Sequence, residues 1–126
     1  MNGLQKFYFI EDFNRDHLKN LDSDISIIYR NYKEKYSETK IFEIKKFCKK
    51  ISKKFFLANN VNLAIKLRLD GAYIPSFNKD ISVKKLQNRN LLILGSAHNL
   101  KEINEKKKQG VQVIFLSPLF RIKKTD

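Results

Sequence analysis

Cysteine is all but missing. Cys48 is the single one, which excludes an internal disulfide and any zinc site built from cysteines. Tryptophan is absent, and proline and glycine number only 2 and 4, so neither a collagen-like repeat nor a Pro/Gly/Ser linker divides the chain. The longest apolar runs, such as Leu91–Leu94 and Val113–Leu116, fall far short of the ~20 residues a membrane-spanning helix requires. No basic patch followed by a long apolar stretch opens the sequence, so a signal peptide is not expected. Acidic residues are scarce beside basic ones, 13 against 26, for a formal charge of +13. A secreted disulfide scaffold, a membrane protein and a collagen-like chain drop out, and a cytoplasmic globular protein is expected.

What is present reads as one domain over residues 1–126, with 42% hydrophobic and 31% charged residues, the balance of a folded chain. A chain of this size buries roughly two-thirds of its unfolded surface, enough for a real core. The positive charge invites a nucleic-acid partner, because clustered Lys and Arg release counterions from phosphates. Composition argues against taking that at face value. There are 21 lysines to 5 arginines, alongside 14 isoleucines and 12 asparagines, a bias that A/T-rich codons produce by themselves. Bidentate phosphate and base contacts favour the planar fork of Arg. The runs Lys45-Lys46, Lys49-Lys50, Lys53-Lys54 and Lys106–Lys108 fall on polar faces of amphipathic segments and read as solvated helix faces. No RNP-type motif, zinc finger or P-loop accompanies them. Binding of nucleic acid is the minority reading.

Short apolar runs recur at Phe7–Ile10, Ile25–Tyr29, Phe55–Ala58, Ala72–Ile74, Leu91–Leu94 and Val111–Leu116, with starts 17–30 residues apart. Near-continuous hydrophobicity in so short a run predicts strands covered on both faces, as in parallel sheets. Helical spacing lies between them. It is clearest over Glu38–Lys54, where Ile41, Ile44, Phe47, Cys48 and Ile51 share a face opposite the lysines. Asn62 or a neighbour starts a short helix, Ser82–Gln87 holds a helical turn at best, and Asn99 caps Leu100–Gln109 with Glu102 in the capping-box position. Strict alternation predicts one α/β domain with a parallel sheet in order 1-2-3-4-5-6, helices outside and right-handed crossovers.

In parallel α/β folds ligands bind at the carboxyl ends of the strands. Here those ends carry Glu11-Asp12, Arg30-Asn31, Asn59-Asn60, Pro75-Ser76, Gly95–His98 and Ser117-Pro118. Arg30 has the donor fork suited to phosphate or carboxylate. Gly95 and Ser96 suggest a turn leading into a helix N-terminus, a natural anion site. His98 is able to transfer a proton near neutral pH. Each residue has an ordinary structural reading too, as surface arginine or helix cap. The other histidine, His17, reads as an exposed residue of a first helix.

These residues also sit in recognisable surroundings. The stretch FLANNVNLAI at 56–65 with DGAYIP at 70–75 resembles the "ND.vdLA…aDGvHl" region of thiamine-phosphate synthases and the related TenI-type thiazole tautomerases. LGSAHNLKE at 94–102 resembles their "G.S.Hs..E" loop, and GVQVIFLSPLF at 110–120 their "GaDyv..sPvFpT". The resemblance is ordered and covers about residues 7–125. It implies a (β/α)8 TIM barrel. It further implies a thiamine-biosynthesis transferase that couples hydroxymethylpyrimidine diphosphate to thiazole phosphate with magnesium (Mg2+), releasing pyrophosphate. The tautomerases instead isomerise the thiazole phosphate through a histidine.

Carried over, Arg30 matches the arginine that serves the pyrimidine diphosphate, His98 the catalytic histidine, and Ser96 and Ser117 the phosphate-binding serines. Asn59 falls on the magnesium aspartate and is expected, as an amide, to serve among the substrate- and phosphate-binding residues; the second acidic position falls near Asn78, with Asp80 two residues on. Tyr32 replaces a lysine, with Lys33 adjacent, and the threonines after the last motif are absent at Arg121 and Ile122. Amides are poorer ligands than carboxylates for a hard cation, so no metal ligand is assigned. A complete barrel needs ≥200 residues. The expectation is therefore a truncated member, a partial barrel of six strands that self-associates through its open sheet edges. Its ligands would be phosphorylated pyrimidines or thiazoles. Tautomerase-like or degenerate phosphate binding, and a non-catalytic basic module for RNA or anions, are the alternatives.

Overall fold

The computed structural model describes residues 5–86 and 90–116. Six strands alternate with helical segments: β1 (Lys6–Ile10), α1 (Arg15–Asn20), β2 (Ile25–Tyr29), α2 (Glu38–Lys50), β3 (Phe55–Ala58), α3 (Val61–Lys66), β4 (Gly71–Ile74), a 3₁₀ helix (Ile81–Leu86), β5 (Leu92–Ala97), α4 (Leu100–Lys108) and β6 (Val113–Leu116). Each α-helix starts on a side-chain cap. Asn14, Ser37, Asn60 and Asn99 accept from the N–H three residues on, satisfying a donor that has no partner within the helix.

The strands lie side by side in sequence order and every neighbouring pair is parallel. Their side chains alternate between two apolar layers, as the pleat dictates. Ile27, Tyr29, Phe55, Leu57, Ala72, Ile74 and Ile93 join Leu18, Ile41, Ile44, Phe47 and Cys48 of the helices in an outer core, with Ile51 partly buried against it. Ile28, Phe56, Ala58, Tyr73 and Leu94 point the other way, with Phe7, Phe9, Val113 and Phe115 against them. In a flat sheet, the first and sixth strands would be ~24 Å apart, five spacings of ~4.8 Å. The Phe7 and Phe115 rings, on those two strands, are 5.2 Å apart between centroids. The sheet therefore curls into half a barrel, helices outside and aromatics within.

Two details differ from expectation. Gly95 and Ser96 belong to β5, not to a turn. Gly95 pairs with Ile74 and Ile114, and Ser96 with Phe115. The reason is packing: a Cβ at Gly95 would meet Lys106 Cδ at 3.0 Å and Val111 at 3.1 Å, so the missing side chain lets α4 lie close on the strand. Secondly, two of the lysines read as solvated are buried. Lys106 Nζ donates to the Asn78 carbonyl at 2.9 Å, and Lys53 Nζ to the carbonyls of Asp22 and Ile25, so their charged heads are satisfied by backbone. Among the described residues no helix is long and apolar enough to cross a membrane.

Candidate functional site

Parallel pairing brings all the strand C-termini to one edge, and a cleft of about 600 Å³ opens there. Arg30, Ser96 and His98 line it together. Arg30 directly follows β2. Its N–H donates to the Ile10 carbonyl at 2.8 Å, and its guanidinium lies 4.0 Å from the centroid of the Phe9 ring. Phe9 thus supports the cation by its ring face while the N–H fork remains directed by the stack. Ser96 is an inward residue of β5 whose hydroxyl bonds the Tyr73 hydroxyl of β4. Tyr73 in turn meets Phe9 edge-on at 5.1 Å and stacks on Phe115 at 6.1 Å.

His98 follows β5. Glu102, one helical turn on, accepts from its backbone N–H at 2.7 Å and pairs with ring Nδ1 at 2.9 Å. These bonds, the backbone one first, hold the Glu102 carboxyl below the usual carboxylate range. A carboxylate at 2.9 Å assigns the proton to Nδ1. It also occupies the first turn of α4, so the anion site expected at that helix start is filled by the protein's own acid.

Aromatics complete the walls. Tyr32 and Phe77, from the loops after β2 and β4, meet edge-on at 5.5 Å over the cleft's rim. Burial, then the neighbouring Tyr73, raises the Tyr32 phenol well above its ordinary value. Among the described lining residues there is one full cation, Arg30, and no carboxylate, a lining suited to an anion with an aromatic body.

Asn59 is not among the residues that line this cleft. It follows β3 with φ 59°, its N–H donates to the Tyr73 carbonyl at 2.7 Å, and its Oδ1 accepts from Asn78 Nδ2 at 2.8 Å. Ser117 lies outside the described residues. Sequence reasoning missed the aromatic walls and the part played by Glu102. The four-residue step from His98 to Glu102 was the available signal. For Phe9 and Tyr73 there was none, because an inward aromatic in a strand looks like any core residue.

A family model described as thiamine monophosphate synthase matches residues 18–125. The thiamine-phosphate synthase of Prochlorococcus marinus subsp. pastoris is 31% identical over 100 residues, covering 76% of this chain and 28% of that protein. A putative thiamine-phosphate synthase 2 of Aquifex aeolicus is 29% identical over 79 residues, 63% of this chain and 42% of that one. Among solved structures, a thiamine phosphate pyrophosphorylase from Pyrococcus furiosus superposes with a TM-score of 0.69 at 21% identity, over 92% of this chain and 61% of its own. The matched stretches thus span less than two-thirds of each of these three proteins.

Proposed function

The chain belongs to the thiamine monophosphate synthase family, and from that premise we propose that its cleft binds a phosphorylated thiazole and moves a proton on it through His98. The observation that carries this reading is the lining itself, a single arginine, the hydroxyls of Tyr32, Tyr73, Ser76 and Ser96 and a histidine among aromatics, with no carboxylate among the described lining residues to repel the ligand. Arg30 would neutralise the phosphate through paired N–H donors. Ser96, already bonded to Tyr73, would turn one hydroxyl of that pair to the ligand. The aromatic walls would enclose a flat heterocycle and exclude water. With Nδ1 held by Glu102, the His98 ring would serve as the proton-exchanging group.

A second reading, condensation of that thiazole phosphate with a pyrimidine diphosphate, is favoured by the names of the relatives. It needs a leaving pyrophosphate to be stabilised, and Arg30 is the one full cation among the described lining residues. Binding and proton exchange are the better-supported functions.

Calorimetry with thiazole phosphate tests the reading. Arg30→Ala should weaken binding by ~1.5–3 kcal/mol, the worth of a charged hydrogen bond. His98→Ala should leave affinity nearly intact while abolishing exchange of the thiazole proton into deuterated water. Affinity indifferent to Arg30→Ala would refute the site, and release of pyrophosphate from the paired substrates would establish the second reading instead.

A further inference from the structure

The two positions that the family resemblance assigns to magnesium-binding carboxylates hold amides, and those amides are bonded to each other. Asn78 Nδ2 donates to Asn59 Oδ1 at 2.8 Å, joining the end of β3 to the loop after β4. We propose that this pair is a metal-free latch, tying by direct hydrogen bonding the two segments that a bridging cation would tie, so that ligand binding in the adjoining cleft is independent of divalent metal. The proposal deepens the reading above by stating the metal requirement of that cleft. It rests on that reading only for the choice of ligand.

Three side-chain oxygens at this junction already accept hydrogen bonds. Asn59 Oδ1 takes the Asn78 amide, Asn78 Oδ1 takes the Asp80 N–H at 2.9 Å, and Asp80 Oδ1 takes both the N–H and the hydroxyl of Ser82 at 2.9 and 2.6 Å. The carbonyl of Asn78 accepts from Lys106 Nζ at 2.9 Å and from Gln109 Nε2 at 2.8 Å, and the carbonyl of Asp80 from Gln109 at 3.1 Å. The loop is thus held from β3 on one side and from α4 on the other.

Charge points the same way. Mg2+ takes near-octahedral oxygen ligands and is usually held by one or two carboxylates. Here the pair contributes no negative charge, and a fully buried ammonium stands on the main chain of Asn78 itself. Among the described residues no group of three His, Cys, Asp or Glu is placed to hold a metal ion. The latched loop carries Pro75, Ser76 and Phe77, which line the cleft, so the pair sets the rim that the ligand meets.

Thermal melting of the full chain in EDTA and in millimolar Mg2+ tests the latch without any ligand. The wild-type transition should be the same in both; a saturable rise with Mg2+ would overturn the proposal, since binding to the folded state alone must stabilise it. The double variant Asn59→Asp/Asn78→Asp should melt lower in EDTA, where two carboxylates repel, and regain stability with Mg2+. Indifference to Mg2+ there would overturn the claim that the amides exclude the metal. Should the double variant not fold, Asn59→Gly keeps the left-handed backbone and removes only the side chain. Its amides at 76–80 should then exchange faster than wild type, and unchanged exchange would overturn the latch. Thiazole-phosphate affinity in EDTA and in Mg2+ completes the set. Equal affinities support the proposal, whereas absence of binding in both counts against the ligand reading and leaves the melting result to stand by itself.

Discussion

Glu102 binds His98 twice, through the backbone and through the ring, and this double hold separates a poised imidazole from an ordinary helix-start histidine. The carboxylate fixes the tautomer and would stabilise the imidazolium as it forms. In the proposed reaction Glu102 would be a positioning residue, acting on the ligand only through His98. Glu102→Gln retains an oxygen that can accept both bonds and so preserves the start of α4, while it removes the charge that favours the protonated ring. Proton exchange on thiazole phosphate should fall about 10- to 100-fold, the order that changing a histidine's carboxylate partner costs. The pH profile of exchange should shift while thiazole-phosphate affinity stays the same. Loss of affinity and turnover together, with no change in the profile, would show a merely structural role.

At the scale of elements, the approach of β4 to β5 is set by one missing side chain. A Cβ at Gly71 would lie 1.8 Å from the Leu92 carbonyl oxygen and 2.8 Å from Phe56 Cδ2. The first contact is with backbone and cannot be relieved by a rotamer change. Gly71→Ala must therefore part the strands that carry Tyr73 and Ser96, whose hydroxyls meet across this pair. The expected loss is ~3 kcal/mol, the upper end for an overpacked interior, read from the urea midpoint. A variant as stable as wild type would mean that β4 and β5 approach less closely than described. The α4 side of the sheet obeys the same logic at Gly95, where the strand surface is flattened to admit the helix.

In the whole molecule the helices cover the outer face, but β1 and β6 end the strand order, each paired on one side only among the described residues. Aromatic contact between Phe7 and Phe115 closes the interior without satisfying the backbone groups of those edges. Tyr8 and Leu116, on the same two strands, are 39% and 62% exposed. We expect the chain to self-associate through these edges. A net charge of +13 opposes this by self-repulsion, so association should strengthen as salt screens the charge. Light scattering across a protein-concentration series at low and high salt checks it. A monomer at every concentration in both would refute the expectation.

The alternation of apolar runs with helical spacing was enough to order the strands, because parallel sheets bury both faces and leave a pattern that local composition carries by itself. The caps at Ser37, Asn60 and Asn99 are local in the same way, each made within three residues. Arg30, Ser96 and His98 could be named as candidates because strand ends are legible wherever strands are. What a linear pattern cannot hold is which side of the chain a residue faces after curling. Phe7 and Phe115 are far apart in sequence and at opposite ends of the strand order, and only the curvature makes them neighbours. The same holds for the Asn59–Asn78 bond and for Lys106. Its lysine looks solvated in a basic run, yet it is buried because α4 is drawn down onto Gly95 and the carbonyl of Asn78 receives its ammonium. Local propensity and periodicity decide elements and their order; long-range packing decides which polar groups are desolvated, and therefore which must find partners.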